Sequence, residues 1–504
     1  MPPLFTTTRG AASTSDDGLF DAVEAVLPSL GSADPVVPDN DAGALGWGLA
    51  WRMQAYLLMA EATGDPGYLD RLVRMADAVI AARDHLRGVR DHRGQSLPVW
   101  SSASKFTVAT AVVPDLTGAP ALHVHHLPPH GLKATVQVTP VADGRFALTV
   151  TPGGDRPPIV LAELSLDPTD PRRADRLAYA QHSAAAPVTV DLLAGPPGAG
   201  AAATGAPDPR RVRPGSYPCR PARVVLAAQT GMITYPLAGL ARLAREQPDL
   251  VPAAVTARTD DYLAVAHEAL AVHDHQWRVS ADGEGYYAWL PDEPVGFAGA
   301  ELPTNEFLAV GRALIQLAAA TGDRDYVDRA AAMARTLRRQ FAVRGGGFVW
   351  PYWPSFGRVY GGWAKTGDPV RDGSRYRPLF HAVPKAEDVT HALLDIDFAV
   401  LYRLTPGLPE VFTEADMRAL ARTFTHHVST RRLGLRPTVR RDVSGAGRPG
   451  TARHEAHVAG WLPLRRWDPT VAKAVSAVHR SRRPVPSMAV DAYCAALLTR
   501  WRHP

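Results

Sequence analysis

Residues 57–76 read LLMAEATGDPGYLDRLVRMA, and residues 315–334 read IQLAAATGDRDYVDRAAAMA. Ala62-Thr63-Gly64-Asp65, Tyr68, Asp70-Arg71 and Met75-Ala76 recur at Ala320-Thr321-Gly322-Asp323, Tyr326, Asp328-Arg329 and Met333-Ala334. The offset is 258 throughout, with no gap, so the chain carries an internal repeat. Its physics is local. A helix ends at Thr63 or Thr321, and Gly64 or Gly322 supplies the left-handed residue that closes it. Asp65 or Asp323 then caps the next helix. Tyr68 and Leu72 lie four apart on one face of that helix, as do Tyr326 and Ala330. Each copy therefore predicts two antiparallel helices joined by a tight turn. Such a unit buries its faces only against neighbouring units, so several are expected.

Working outward, Leu226 to Arg245 followed by Thr259 to His273 reads as another pair. Asp388 to Tyr402 followed by Thr413 to His427 reads as one more, with Thr413 and Asp416 in a capping arrangement. Met488 to Trp501 closes the series as a terminal helix. The predicted fold class is mainly α: an (α/α)-toroid of repeated helical hairpins with a small β-rich insertion. Residues 1–103 and 219–504 supply the helices.

Residues 104–218 break the pattern. Thr135 to Thr139 and Phe146 to Val150 alternate apolar and polar with period two, with the turn signal Asp143-Gly144 between them. Val188 to Leu193 reads as a third strand. Gly195 to Gly215 is rich in Gly, Ala and Pro and reads as a loop.

Composition limits the function classes. The 504 residues hold 55 Lys and Arg against 50 Asp and Glu, a formal net charge of only +5. The basic runs Arg338-Arg339, Arg431-Arg432, Arg440-Arg441 and Arg480-Ser481-Arg482-Arg483 are short and lack interleaved aromatics, so no nucleic-acid partner is expected. Cys219 and Cys494 are the only cysteines, too few for a disulfide framework or a Cys-rich zinc site. The residues Met1 to Arg9 lack a secretory layout, and no apolar run approaches a membrane span, so a cytoplasmic location is expected. The Ala, Arg, Pro and Gly richness reflects a GC-rich genome and says nothing of function.

In a ring of hairpins the polar residues that open the inner helices converge on one mouth. The strongest candidate segment is Glu387-Asp388-Val389-Thr390-His391, followed by Asp395 in an otherwise apolar run. Asp388, His391 and Asp395 are expected on one helical face at spacings of three and four. Buried charges are costly unless paired or used, so an acid/base relay on His391 is one reading. Simple capping of the helix by these acids is the other. No ligand spacing is diagnostic of a metal, and no nucleotide-binding motif is present, so no metal or cofactor is expected. Asn305 and Glu306 open the repeat helix in the same manner. Asn40-Asp41 and Gln229-Thr230 occupy matching positions elsewhere. Aromatic segments follow Gly-bearing turns, with Glu284, Tyr286 and Tyr287 in one and Trp350, Tyr352 and Trp353 in another. Such rings either stack on sugars or plug the core. Asp91, Arg93 and Trp100 follow the first hairpin, where Arg93 would hold a carboxylate or phosphate in bidentate fashion.

The Ala-Thr-Gly-Asp turn followed by Tyr, with Leu302-Pro303-Thr304-Asn305 and Glu387-Asp388-Val389-Thr390-His391, resembles the helical domain of the D-glucuronyl C5-epimerases. More loosely it is similar to N-acylglucosamine 2-epimerases and polysaccharide lyases. The resemblance covers mainly residues 40–100 and 225–430. It implies an enzyme that removes a proton next to a carboxylate or carbonyl of a saccharide. His391, Asp388, Asp395, Glu387, Tyr286 and Tyr352 are the catalytic candidates. Arg93, Asp91, Trp100, Glu284, Tyr287, Asn305, Glu306, Trp350 and Trp353 are the substrate-binding candidates. Two other classes stay open: an isoprenoid cyclase protonating through Asp395-Ile396-Asp397, and a non-catalytic binding scaffold.

Overall fold

The structure, a computed structural model, describes residues 18–27, 39–103, 105–128, 133–193, 211–369, 371–430, 437–480 and 488–502. Most of the 195–215 loop expectation lies outside these residues, as do Arg431-Arg432, 481–483 and the first nine residues.

The repeat turn forms twice with matching geometry. Helix Ala50–Thr63 closes on Gly64 at φ 74°, and helix Thr304–Thr321 closes on Gly322 at φ 73°. A side chain other than glycine would be strained at that φ. Thr63 Oγ1 donates to the Met59 carbonyl at 2.8 Å, and Thr321 Oγ1 to the Leu317 carbonyl at 2.7 Å. Each threonine hydroxyl also accepts from the following aspartate N–H, at 3.2 Å in the first copy and 3.1 Å in the second. Asp65 then accepts from Gly67 N at 2.8 Å, and Asp323 from Asp325 N at 2.9 Å, which starts helices Gly67–Ala81 and Arg324–Gln340. Tyr68, Leu72, Tyr326 and Ala330 are all buried.

The long helices are neighbours in a regular order. Ala50–Thr63 packs on Ala227–Glu246, which packs on Thr304–Thr321, which packs on Ala392–Leu404. The C-terminal helix Ala489–Arg502 returns to Ala50–Thr63. All their amino ends lie toward one side. On the opposite side the carboxyl halves are plugged by buried ion pairs from Arg242 and Arg500 to Glu61, with Gln316 accepting from Arg242 Nε at 2.6 Å. Glu414–Arg422 carries the expected capping box of Thr413 and Asp416.

The expected mainly-α toroid is nonetheless overturned. The chain is 47% helix and 18% strand in several small sheets, a mixed α/β protein. Two features account for the difference. First, Gly-bearing segments after the outer helices are antiparallel two-stranded hairpins: Trp277–Val279 with Gly285–Tyr287, and Ala342–Arg344 with Gly347–Val349. Ser429–Thr430 with Thr438–Val439 is a third. Second, eight strands among the described residues between Ala109 and Pro221 form two four-stranded sheets. In one, Thr135–Pro140 pairs with Phe146–Thr151 across Asp143 and Gly144. In the other, Val188–Leu192 pairs with Pro120–His126. These sheets enclose a hydrophobic core of their own, separate from the helical one.

Candidate active site

The expected helix from Asp388 begins only at Ala392, with His391 as its N-cap residue. Asp388 explains the shift. Its Oδ1 accepts from Thr390 N at 2.7 Å and Thr390 Oγ1 at 2.5 Å, an Asx turn that competes with helix formation. Asp388 therefore lies in a bridge with Asp442, not on a helical face with His391 and Asp395. The turn still brings Asp388 beside the histidine, with His391 Nδ1 3.5 Å from Asp388 Oδ1.

A residue with no sequence signal completes this group. His454 Nε2 lies 3.1 Å from Asp388 Oδ2. The backbone N–H of Thr451 donates to His454 Nδ1 at 3.2 Å, so Nδ1 is the acceptor and Nε2 carries the proton given to Asp388. Burial works against the Asp388 carboxylate, but its contacts with His391 and Thr390 outweigh it and hold its pKa well below the usual range. Asp388 is thus a fixed anion between two imidazoles. His391 Nδ1 is buried toward Asp388 Oδ1 as a charge contact, without a formed hydrogen bond. Half of that ring is solvent-accessible in order of magnitude, 43% for the side chain.

Behind this group lies a carboxyl pair. Glu387 is fully buried; its Oε2 accepts from Asn305 Nδ2 at 3.1 Å and its Oε1 from Asp388 N at 2.7 Å. Asp395 is equally buried, and its Oδ2 accepts from Trp350 Nε1 at 2.7 Å. The two carboxyls interact electrostatically. Burial pushes both pKa values up, Asp395 to about 8 and Glu387 well above its ordinary value, and the Asp395 charge adds to the rise at Glu387. Burial therefore favours the protonated form of the pair.

Tyr352 and Glu306 form the rim. The segment around Tyr352 is stitched to its neighbours: Tyr352 N donates to the Lys385 carbonyl, Thr304 N to the Tyr352 carbonyl, both at 3.0 Å. The Tyr352 ring stands edge-on to His391 with centroids 5.4 Å apart. Lys385 Nζ sits 3.8 Å over the same ring. Burial, followed by the charges of Glu306 and Glu387, raises the Tyr352 phenol far above its ordinary value. It stays protonated at neutral pH. Burial alone pushes Glu306 up to about 7 from an ordinary 4.5.

Of the candidate residues, Asn305, Glu306, Trp350, Tyr352, Glu387, Asp388, His391 and Asp395 come together. The others do not join them. Arg93 and Asp91 form an exposed turn, in which Asp91 Oδ1 accepts from Arg93 N and Gln95 N at 2.9 Å each. Trp100 is core, donating from Nε1 to the Val79 carbonyl at 2.7 Å. Glu284 pairs with Arg339 at 3.1 Å. Tyr287 packs in the core on Trp277, and Tyr286 packs on Phe356. Trp353 belongs to an aromatic cluster with Trp289 and Phe297. Asn40 Nδ2 donates to Gln229 Oε1 at 2.9 Å, and Thr230 bonds His273 at 2.9 Å. Asp395 and Asp397 part company, because Asp397 pairs with the buried Arg312 at 2.6 Å. They do not form a joint protonating motif.

Neither His454 nor Lys385 stands in a sequence pattern that points to this site. His454 is 66 residues from Asp388, and only the Thr451-to-His454 capping spacing marks its helix start. No protein-family model matches this chain, and no curated protein matches it.

Proposed function

We propose that the chain is a carbohydrate-active enzyme of epimerase or lyase type, working by acid/base proton transfer at the His391 cluster. The observation that carries this reading is His391 itself: an accessible imidazole backed by a fixed carboxylate, beside a phenol and a carboxyl that hold their protons. In this reading His391 Nε2 takes a proton from carbon next to a carbonyl or carboxylate. Asp388 keeps the ring in the productive tautomer and stabilises the imidazolium. Tyr352 or Glu306, beside the imidazole, delivers the proton. Lys385 places a cation at the rim, where it neutralises the oxygen on which charge builds.

The pair Glu387–Asp395 acts through position. Its raised proton affinity keeps the floor of the site from carrying two negative charges, and its bonds to Asn305 and Trp350 fix the rim. The test is turnover on a panel of uronic-acid and keto saccharides by the parent, His391→Asn and Tyr352→Phe proteins, each with a thermal melt. Loss of turnover with an unchanged melt supports the reading. A parent protein that turns over no member of the panel yet binds a saccharide supports a scaffold instead.

A further inference from the structure

The insertion carries a second cluster of titratable groups that the proposed chemistry does not use. His123 and His125 lie two apart on strand Pro120–His126, so both side chains leave one face of the sheet. Leu122 and Val124, on the opposite face, build the insertion's core. Across the ladder, Asp191 is paired directly with His123. One nitrogen from each imidazole and one Asp191 oxygen all lie within 4.8 Å of one another. His125 is buried, whereas His123 and Asp191 are half-buried, so the cluster opens on one side.

The orientation of His125 is set from behind. Its Nδ1 lies 2.8 Å from Thr110 Oγ1, and its Nε2 lies 2.8 Å from Asp191 Oδ2. A hydroxyl on Nδ1 is the kind of outer partner that steadies a ligating imidazole. Arg375 donates to Asp191 from Nε at 3.0 Å and from Nη2 at 2.6 Å. These bonds and the His125 contact all fall on Oδ2, which leaves Oδ1 for another electrophile. Two imidazoles and a carboxylate form a donor set suited to zinc and its neighbours, whereas calcium and magnesium prefer oxygen alone.

We infer that His123, His125 and Asp191 form a binding site for a divalent transition-metal ion, zinc foremost. The ion takes the place of the proton between His125 Nε2 and Asp191 Oδ2, and the neutral imidazole then carries its proton on Nδ1, where it is donated to Thr110 Oγ1. Three protein ligands leave a further position for water or a partner's donor. The Arg375 guanidinium neutralises Asp191 when the site is empty and competes with the ion for it. The site departs from the sequence expectation of no metal, because a His-x-His spacing gains its third ligand only through strand pairing.

The experiment uses the full chain, stripped with a chelator and dialysed, then titrated with zinc chloride by calorimetry with metal content measured in parallel. Three variants accompany it: His123→Ala, Asp191→Asn and Arg375→Gln, each checked by thermal melting. The expected result is one zinc per chain, at least about tenfold weaker in His123→Ala and Asp191→Asn, and tighter in Arg375→Gln. Absence of stoichiometric zinc in the parent would overturn the inference. So would zinc binding that His123→Ala leaves unchanged, since the ion would then reside elsewhere.

Discussion

Gln54 and Arg312 stand at equivalent positions of the two repeat copies, and they hydrogen-bond each other: Arg312 Nη2 donates to Gln54 Oε1 at 2.8 Å. Arg312 is fully buried, pairs with Asp397 at 2.6 Å and lies 4.2 Å from the Tyr235 ring centroid. The two copies thus meet through one polar contact in the centre of the helical body. Removing one partner of a buried pair leaves the other charge uncompensated. Arg312→Ala is therefore expected to lose about 3–5 kcal/mol of stability, and Gln54→Ala about 1 kcal/mol, measured by denaturant unfolding. Arg312→Ala at parental stability would show that the contact is incidental.

The two repeat turns offer a matched pair. Gly64 and Gly322 share a left-handed conformation and have open space around them. Alanine at either site meets only backbone strain, so each change is expected to cost about 1 kcal/mol. The two sites belong to separate turns, so the double variant should be additive. A cost confined to one site would mean that the turns are not equivalent in solution.

Much of the helical body was legible because its signals are local. A threonine, a glycine and an aspartate in sequence satisfy one another's backbone groups within a single turn, and nothing distant can mask that. The segment Glu387 to His391 was legible as a cluster for the same reason. Its helix start was not, because Asp388 bonds Thr390 in a turn that resembles a cap in sequence but precedes the helix in space. The aromatic stretches around Tyr286 and Phe348 carry no strand signal of their own in the sequence, because a two-stranded hairpin depends on its partner. His454 reaches Asp388 only through tertiary packing, so no spacing reveals it. Arg93 was drawn in by position after the first helix pair, yet its loop turns outward to solvent.

Glu306 links the site to the stability of the fold. The folded chain holds this proton up to about pH 7, whereas the unfolded chain releases it near 4.5. Between those values the folded state binds more protons, so this group's contribution to stability falls as pH rises through the window and is flat above it. Glu306→Gln should remove that slope and exceed the parent in stability at pH 8, by on the order of 1–3 kcal/mol. Unfolding free energies measured from pH 4 to pH 8 check this. Parallel pH profiles for the two proteins would contradict the raised proton affinity of Glu306.

His454 and Trp350 act through other residues, so their variants should separate position from chemistry. His454→Asn keeps a donor toward Asp388 and is expected to lower turnover less than about tenfold, whereas His454→Leu is expected to lower it about 10- to 100-fold. Trp350→Phe removes the donor to Asp395 and should cost about 1–3 kcal/mol of stability. Equal turnover in the two His454 variants would show that its contact with Asp388 does not orient His391.

The most direct test of the proposed chemistry is exchange of a substrate carbon-bound hydrogen with solvent. The parent, His391→Asn and Tyr352→Phe proteins are incubated with candidate saccharides in deuterium oxide, and deuterium incorporation is followed by NMR. The account predicts incorporation by the parent next to a carbonyl or carboxylate, and a loss of about 100-fold or more in His391→Asn with the fold intact. Exchange that persists unchanged without the His391 imidazole would contradict it.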